Sequence, residues 1–391
     1  MGEFYLKEVI NKEDKKEFLD FPSRLYKDDK NWIRPLDSDV EKIFDRNKNK
    51  FFRTGNAIRW LLINGTGETV GRMAAFYEKN TAKSFEQPTG GIGFFDCINQ
   101  KEAARMLFDA GKKWLKSVGM EAMDGPVNFG TRDNFWGCLT DGFYEPVYNM
   151  PYNFPYYAEL FEHYGFKNYF NQYTYHMPLD PSLLHPVVHQ KALRIQKQPG
   201  YRVVNYKRNE LEKFTNDFVT IFNEAWGKFP GVKPMKTKQV LAMFKALNPV
   251  LDPRIIYFEY YHDRPVAFFI MIPDLYQVIR YFNGKMNAFN KLRTFLFLRV
   301  LHKATRAMGV IFGVVPDFQG KGIEAAMITR FAEDTQKPGF NYTDLEMNWI
   351  GDFNPGMMKL MQSIGATIRK THVTYRYLFD ENKPFKRAKL L

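Results

Sequence analysis

Residues 314–327 read VVPDFQGKGIEAAM and carry more structural information than any other part of the chain. The apolar run 309–315 predicts a strand that stops at Pro316, and the residues after Gly322 predict a helix. Gly320 and Gly322 permit backbone conformations that other residues avoid. Such a turn directs the free N–H groups at the helix start, and the positive end of the helix dipole, toward one point. The stretch therefore predicts a phosphate or pyrophosphate site.

The glycine spacing separates this turn from better-known phosphate loops. Neither G-x-x-x-x-G-K-S/T nor G-x-G-x-x-G occurs here. The turn resembles the acyl-CoA loop of the GCN5-related N-acetyltransferase (GNAT) superfamily, whose core pattern is Q/R-x-x-G-x-G/A. Gln319 and Gly322 match this pattern, whereas Glu324 replaces the final small residue. A carboxylate at that position would lie close to the expected pyrophosphate.

A second element downstream extends the resemblance. GNAT proteins follow the phosphate helix with a strand and then a short helix that reads roughly N-x-x-A-x-x-L-Y-x-x-x-G-F. Residues 342–349 predict the strand, and Asn354, Leu360 and Gly365 fall in register with the short helix. Met361 stands where many relatives have the tyrosine that protonates the departing CoA thiolate. The resemblance thus supports the fold and the cofactor site more firmly than the usual chemistry.

The chain also repeats itself at a long period. Three pairs of segments match in the same order: 69–76 with 264–270, 160–166 with 360–366, and 174–175 with 374–375. Similarity at this period indicates duplicated domains and not a solenoid of short repeats.

Length agrees with a duplication, because 391 residues correspond to two or three domains of about 100–200 residues each. We expect an α/β protein of two tandem GNAT-like domains, each a mixed, mostly antiparallel sheet flanked by helices. The expected parts are an N-terminal domain (1–178), a basic linker (179–200) and a C-terminal domain (201–391) that carries the acyl-CoA loop. The turn at residues 97–101 has no glycine, so the first domain should lack a usual CoA loop.

The composition of the chain limits the classes of molecule that it is expected to bind. The net charge of +13 favours an anionic partner, which includes CoA, an acidic carrier protein, nucleic acid and an anionic membrane face. No run of 18 apolar residues occurs and residues 1–20 are charged throughout, so we expect no stable membrane insertion and a cytoplasmic protein. Two cysteines and seven histidines show no disulfide or metal-ligand spacing, so no metal is expected.

Two further segments have open interpretations. Residues 287–306 predict a basic, apolar helix just before the CoA strand. Its simpler interpretation is a core-facing helix with snorkelling cations, and the alternative is a surface that touches membrane or cradles a long acyl chain. Residues 227–232 lie between two predicted helices and form a candidate acceptor-site loop.

The resemblance implies transfer of an acyl group, expected to be acetyl, from acetyl-CoA or another acyl-CoA to an amine. The reaction needs a base for the amine, a polarised thioester carbonyl and a proton for the thiolate. Backbone N–H groups at 312–315 would polarise the carbonyl, and Glu346 is the candidate base. Tyr375 or Tyr377 is the candidate acid in place of Met361. The expected cofactor contacts are Val314, Val315, Gln319, Gly320, Lys321, Gly322, Ile323 and Asn354.

Two other function classes fit the same sequence. The tandem-GNAT Fem family takes aminoacyl groups from tRNA, which the basic charge suits, although that family does not need the intact loop at 319–322. A degenerate GNAT pair that only binds a partner is the other class, since Glu324, Met361 and the glycine-free first domain all permit it. The oligomeric state and the acceptor amine stay open.

Overall fold

The computed structural model describes residues 4–227 and 234–389, so most of the candidate loop at 227–232 lies outside the described residues. The strands in chain order are β1 (Tyr5–Glu8), β2 (Gly55–Ile63), β3 (Thr69–Glu78), β4 (Thr89–Cys97), β5 (Ala122–Gly125), β6 (Cys138–Asp141), β7 (Lys167–Pro178), β8 (Tyr201–Asn205), β9 (Ile256–Tyr261), β10 (Arg264–Pro273), β11 (Arg306–Val314), β12 (Asp344–Gly351) and β13 (Thr367–Leu378). The helices are α1 (Lys12–Leu25), α2 (Asp37–Phe44), α3 (Lys79–Ala82), α4 (Lys101–Ser117), α5 (Tyr156–Tyr164), α6 (Pro186–Gln196), α7 (Leu211–Trp226), α8 (Thr237–Leu247), α9 (Tyr276–Ile279), α10 (Ala288–Arg299), α11 (Ile323–Thr335) and α12 (Pro355–Ser363).

All these strands belong to one open, mixed sheet. Its order is β1-β2-β3-β4-β5-β13-β7-β12-β11-β10-β9-β8, and β6 pairs with β13 outside this path. Most neighbours are antiparallel, whereas β4 with β5 and β11 with β12 are parallel. The predicted fold class, a mixed and mostly antiparallel sheet flanked by helices, is confirmed.

The first half of the chain, which carries β1–β7, and the second half, which carries β8–β13, exchange strands at the centre of the sheet. β7 comes from the first half but pairs with β12 of the second half. β13 comes from the second half but pairs with β5 of the first half. β7 and β13 also pair with each other along most of their length, which joins the halves into one sheet.

The hydrophobic cores follow this exchange. Tyr175 and Met177 of β7 are buried in the core of the second half. Val373, Tyr375 and Tyr377 of β13 are buried in the core of the first half. At about 1.5–3 kcal/mol for each large side chain, this exchange makes a substantial contribution to holding the halves together.

Matching elements precede the two exchanged strands. α5 and α12 each end just before a glycine in the left-handed region, Gly165 (φ 108°) and Gly365 (φ 81°). A left-handed glycine ends a helix without a Cβ clash and turns the chain. The repeat of 160–166 in 360–366 therefore corresponds to two copies of one helix–turn–strand unit.

The segment expected to be a basic linker contains the helix α6. Val188, Ala192 and Ile195 of α6 are buried, and the helix packs against α11. His185 caps the helix start by accepting a hydrogen bond from the N–H of Val187, at 3.2 Å. The exchanged strands β7 and β13 interlock the two halves, so the strand pairing alone does not define a domain boundary. The division into 1–178, 179–200 and 201–391 stays a prediction.

The helix expected at 287–306 is shorter, since α10 covers Ala288–Arg299. The core-facing interpretation is wrong: Phe289, Leu292 and Phe295 are more than half exposed. Among the described helices, none combines the length and the apolar character needed to cross a membrane.

Candidate functional site

The glycine loop between β11 and α11 has the predicted geometry. Gly320 (φ 71°) and Gly322 (φ 101°) both lie in the left-handed region, and α11 begins directly after Gly322. Within the described residues, the N–H groups of Gly320, Gly322 and Ile323 have no backbone acceptor. Free N–H groups at a helix start are the elements of an anion site.

The side chains around this loop divide into internal braces and exposed groups. Val314, Val315 and Ile323 are buried, so they can offer only backbone atoms to a ligand. The Gln319 side chain donates a hydrogen bond to the Val314 carbonyl at 3.0 Å, which braces the loop. Lys321 is exposed, and its ammonium lies 4.8 Å from the centre of the Phe318 ring.

Helix α6 adds cations beside the loop. Arg194 donates a hydrogen bond to the Lys321 carbonyl at 3.0 Å. A Cβ placed on Gly322 would lie 3.4 Å from the Cβ of Lys191 and 3.5 Å from Ile195. These residues could not be predicted for the site, because nothing in the sequence pattern of 186–196 shows which element the helix packs against.

β11 and β12 separate next to the loop. Their parallel pairing covers only Arg306–Gly309 with Asp344–Met347. Beyond Gly309, the edge of β11 that faces away from β10 has no strand partner among the described residues. We call this opening between Val310–Val314 and the end of β12 the fork. A free strand edge offers backbone donors and acceptors to an extended ligand.

Two side chains, one on β12 and one on its neighbour β7, carry buried polar atoms without hydrogen-bond partners. Asn348 directly follows Met347, the last residue of β12 that pairs with β11, and both polar atoms of its side-chain amide are buried and unpaired. Tyr175 pairs with Met347 across β7 and β12, and its hydroxyl is also buried and unpaired. Because buried polar groups are costly without partners, the Asn348 amide, which lies where the β11–β12 pairing ends, fits a polar ligand at the fork. Neither residue is predicted for the site by the sequence pattern.

Glu346 lies in a buried charge network beside the fork. Its Oε2 accepts a hydrogen bond from Lys370 at 2.6 Å, and its Oε1 lies 3.2 Å from Arg369 Nε and 3.7 Å from Arg306 Nε. Oε1 accepts no hydrogen bond within the described residues. Burial lowers the pKa of Lys370. Burial also raises the pKa of Asp274, which lies 3.5 Å from Arg306, to about 7.

The other predicted residues lie apart from this network. Tyr375 is buried in the core of the first half, where its hydroxyl donates a hydrogen bond to Glu162 at 2.8 Å. Asn354 caps α12 by accepting a hydrogen bond from the N–H of Met357 at 3.2 Å. Met361 is buried. The roles assigned to Tyr375 and Asn354 stay predictions, and the structure gives each side chain a local partner.

The first half has no equivalent fork. Val127 follows β5, and its N–H donates to the Ile92 carbonyl at 2.8 Å along the edge of β4. A Cβ on Gly93 would come within 1.8 Å of the Val127 carbonyl oxygen, so this backbone fills the opening. Between Phe95 and Lys101, no described residue has a positive φ, in contrast to the loop at 320–322.

A pair of carboxyl groups stands behind the glycine loop. Glu324 is half-buried in the first turn of α11, and Glu259 of β9 is fully buried. Neither carboxyl oxygen of Glu259 has a hydrogen-bond partner within the described residues. Burial, and secondarily the charge of Glu324, raises the pKa of Glu259 to about 8. Glu259 is therefore mostly neutral at pH 7, which limits the negative charge near the loop.

Two known proteins are similar to this chain over more than nine-tenths of its length. No family model matches it. Protein YghO of Escherichia coli (strain K12) is 27% identical over 375 residues, which cover 94% of this chain and 93% of that protein. The bacterial ceramide synthase of Caulobacter vibrioides (strain NA1000 / CB15N) is 23% identical over 367 residues, which cover 92% and 94%.

Solved structures resemble the chain at the level of the fold. The GCN5-related glucosamine N-acetyltransferase region of a fungal multi-domain GH3 beta-N-acetylglucosaminidase matches with a TM-score of 0.53 and 11% identity, over 96% of this chain and 38% of that chain. A tandem GNAT protein from the clavulanic acid biosynthesis pathway matches with a TM-score of 0.52 and 10% identity, over 98% and 100%. The strand exchange, the parallel pairs and these likenesses together show that the chain has the tandem fold of the GCN5-related N-acetyltransferases.

Proposed function

We propose that this chain is an acyl-CoA-dependent N-acyltransferase whose second half binds the acyl-CoA. The observation that carries the proposal is the free edge of β11 next to a loop with two left-handed glycines. The loop would hold the pyrophosphate with its N–H groups, assisted by Lys321 and Arg194. The edge at Val310–Val314 would pair with the amide-bearing arm of CoA. The filled opening of the first half supports a single site.

The fork also has candidate groups for two of the three requirements of amide formation, polarisation of the thioester carbonyl and a base for the amine. The amine nitrogen attacks the thioester carbonyl carbon, the C–N bond forms, the C–S bond breaks, and the amine proton is lost as the thiolate is protonated. N–H groups on the free edge of β11 would stabilise the negative oxygen of the tetrahedral intermediate. Glu346 is proposed to accept the amine proton at Oε1, the carboxylate oxygen that accepts no hydrogen bond in the described residues. Asn348 is proposed to orient the acceptor.

The acceptor class is proposed from one relative. A ceramide is the amide of a long-chain amino alcohol with a fatty acid, so the name bacterial ceramide synthase describes N-acylation of a lipid amine. Similarity to that protein extends over 92% of this chain. A long-chain amino alcohol and a long acyl-CoA are therefore the first substrates to test, beside acetyl-CoA and simple amines.

The first experiment is calorimetric titration of the full chain with acetyl-CoA and with palmitoyl-CoA. Micromolar binding of either is expected, and Gly322→Asp should abolish it, because the new carboxylate would stand where the phosphates are expected. Gly119→Asp is the matched control, since Gly119 is also left-handed (φ 82°) but has open space around it. The two substitutions cause comparable backbone strain, but only Gly322 lies in the glycine loop. Gly119→Asp should therefore leave acyl-CoA binding unchanged.

A transfer assay completes the test. Release of CoA thiol should depend on both an acyl-CoA and an amine, and should be lost in Gly322→Asp. Absence of binding to both acyl-CoAs would overturn the proposal. Salt-sensitive tRNA binding in that case would favour aminoacyl transfer from tRNA, and absence of both activities would favour a binding protein.

A further inference from the structure

Helix α10 presents the reverse of the usual surface-helix pattern. A surface helix normally buries its apolar side chains and exposes its polar ones. In α10, Asn290 and Thr294 are buried at 7% and 8% exposure, whereas Phe289, Leu292 and Phe295 are 65%, 57% and 56% exposed. The apolar side chains therefore face outward although polar side chains of the same helix face inward.

Internal contacts fix this orientation. The Asn290 side chain donates a hydrogen bond to the Lys285 carbonyl at 2.8 Å, and the Thr294 hydroxyl donates to the Asn290 carbonyl at 2.8 Å. Phe297 and Leu298, near the end of the helix, pack on a buried cluster that also contains Ile33 of the first half. A rotation of α10 that buried the exposed side chains would break the Asn290–Lys285 hydrogen bond and the contacts of Phe297 and Leu298, whereas the Thr294 bond lies within the helix and would move with it.

The exposed apolar side chains continue beyond the helix end. Together they form a surface that we call the α10 face, whose residues are Tyr281, Phe289, Leu292, Phe295, Leu296, Val300 and Leu301, each 39–65% exposed. Apolar side chains grouped in this way mark sites of interaction with a protein, a ligand or a membrane.

The charge around the α10 face indicates which of these partners, a protein, a ligand or a membrane, the face binds. Residues 285–303 contain five Lys and Arg residues and no Asp or Glu. At about 100° of rotation per residue, Lys291 and Arg293 fall on opposite flanks of the exposed stripe. The Arg293 guanidinium lies 5.7 Å from the Phe289 ring centre, and the Lys303 ammonium lies 4.8 Å from the Phe297 ring centre. The stripe is thus bordered by cations on both sides.

We propose that the α10 face docks the protein on an anionic phospholipid bilayer. Apolar side chains flanked by Lys and Arg are the pattern of helices that lie in the membrane interface, where rings and leucines enter the acyl boundary and cations meet lipid phosphates. A second copy of the chain fits less well, because a twofold contact through this face would bring like charges together. A neutral lipid surface would leave the cations without partners.

Docking would bring the start of β11 toward the membrane. β11 begins at Arg306, shortly after the last residue of the α10 face, and its free edge forms the fork. This docking does not depend on the proposed function, and its test contains no acyl-CoA.

The experiment is sedimentation of the full chain with vesicles of phosphatidylcholine alone and of phosphatidylcholine mixed with phosphatidylglycerol. Binding to the anionic vesicles is expected to be at least about tenfold tighter than to the neutral ones, and to weaken with salt. Phe289→Ser with Leu292→Ser and Phe295→Ser should reduce anionic-vesicle binding at least about tenfold, because three large apolar contacts are lost. Lys291→Gln with Lys303→Gln should reduce it about fivefold per charge.

The matched control combines Ile10→Ser and Met243→Ser, two exposed apolar residues outside the α10 face (71% and 44%). These changes should leave vesicle binding intact. Leu292→Trp gives a direct readout, since its emission should shift to the blue on anionic vesicles. Equal vesicle binding by wild type and the triple serine variant, or no spectral shift of a bound Leu292→Trp protein, would overturn the proposal. Conversion of a dimer into a monomer by the triple variant, measured by light scattering, would identify the face as a self-interface and also overturn it.

Discussion

Arg194 donates a hydrogen bond to the carbonyl of Lys321 at 3.0 Å, which ties the helix between the two halves to the glycine loop. The same helix places Lys191 against Gly322. The segment 179–200 thus combines two roles: it connects the halves, and it adds positive charge next to the loop that would hold a pyrophosphate.

Arg194→Ala should weaken acyl-CoA binding about tenfold, because a charge-assisted contact with a phosphate contributes on the order of 1.5 kcal/mol. The dependence of log Kd on log salt should become less steep, since fewer charges contribute. Titration calorimetry at three salt concentrations measures both effects.

Arg202→Ala is the control for the loss of charge. Arg202 is also exposed, and its side chain donates hydrogen bonds to the His262 carbonyl at 3.3 Å and to Asp263 at 3.2 Å, not to the glycine loop. Unchanged binding in Arg194→Ala, or an equal loss in Arg202→Ala, would remove α6 from the site.

The contrast between the loop and α6 shows what local sequence can predict. Two glycines after an apolar strand define a turn geometry by themselves, so the left-handed Gly320 and Gly322 could be predicted. The contact of Arg194 with Lys321 joins residues 127 positions apart. Such a contact depends on how α6 packs against α11, and no local pattern encodes it.

The Glu346–Lys370 pair offers a test that separates catalysis from folding. Glu346→Gln should lower kcat about 10²–10⁴-fold if Glu346 accepts the amine proton. It should also lower the free energy of unfolding by about 3–5 kcal/mol, since Lys370 would be left buried without its partner. Urea unfolding and the thiol-release assay measure the two effects separately.

The double variant Glu346→Leu with Lys370→Met resolves the two contributions. Replacing both partners of a buried ion pair by apolar residues often restores stability. We expect the double variant to unfold near the wild-type urea concentration but to stay inactive. Recovery of activity together with stability would assign Glu346 a structural role and contradict the proposed base.

The strand exchange gives Tyr375, the predicted acid, surroundings that could not be predicted from the sequence. Tyr375 is near the C-terminal end of the chain, so it was expected to serve the second half. β13 instead pairs with β5, which buries Tyr375 in the core of the first half beside Phe161. The alternation of apolar residues in β13 predicts a buried strand, but it does not identify the strand's neighbours.

Tyr375→Phe should therefore affect folding more than catalysis. The hydroxyl donates to Glu162 at 2.8 Å, and its loss should lower the free energy of unfolding by about 1 kcal/mol. Turnover should stay within about twofold of wild type, which is well below the 10²-fold effect of a lost general acid. A hundredfold fall in kcat at unchanged stability would instead support the predicted acid role.

Glu259 supplies a prediction about pH. Its pKa is raised from the ordinary value of 4.5 to about 8 by burial and then by the charge of Glu324. The folded protein therefore holds this proton more tightly than the unfolded chain. The resulting contribution to stability is fully present below pH 4.5 and is lost progressively as the pH rises through about 8.

Glu259→Gln removes this titration while keeping the shape of the side chain. The free energy of unfolding of the variant, relative to wild type, should rise by about 1.4 kcal/mol for each pH unit within this interval and level off above it. Urea unfolding at pH 5, 6, 7 and 8 measures the slope. Glu259→Leu should give the same slope with a different offset, because the slope arises from the wild-type carboxyl group. A difference that does not change with pH would mean that Glu259 ionises in the folded protein as it does in water, and that the negative charge behind the glycine loop is larger than inferred.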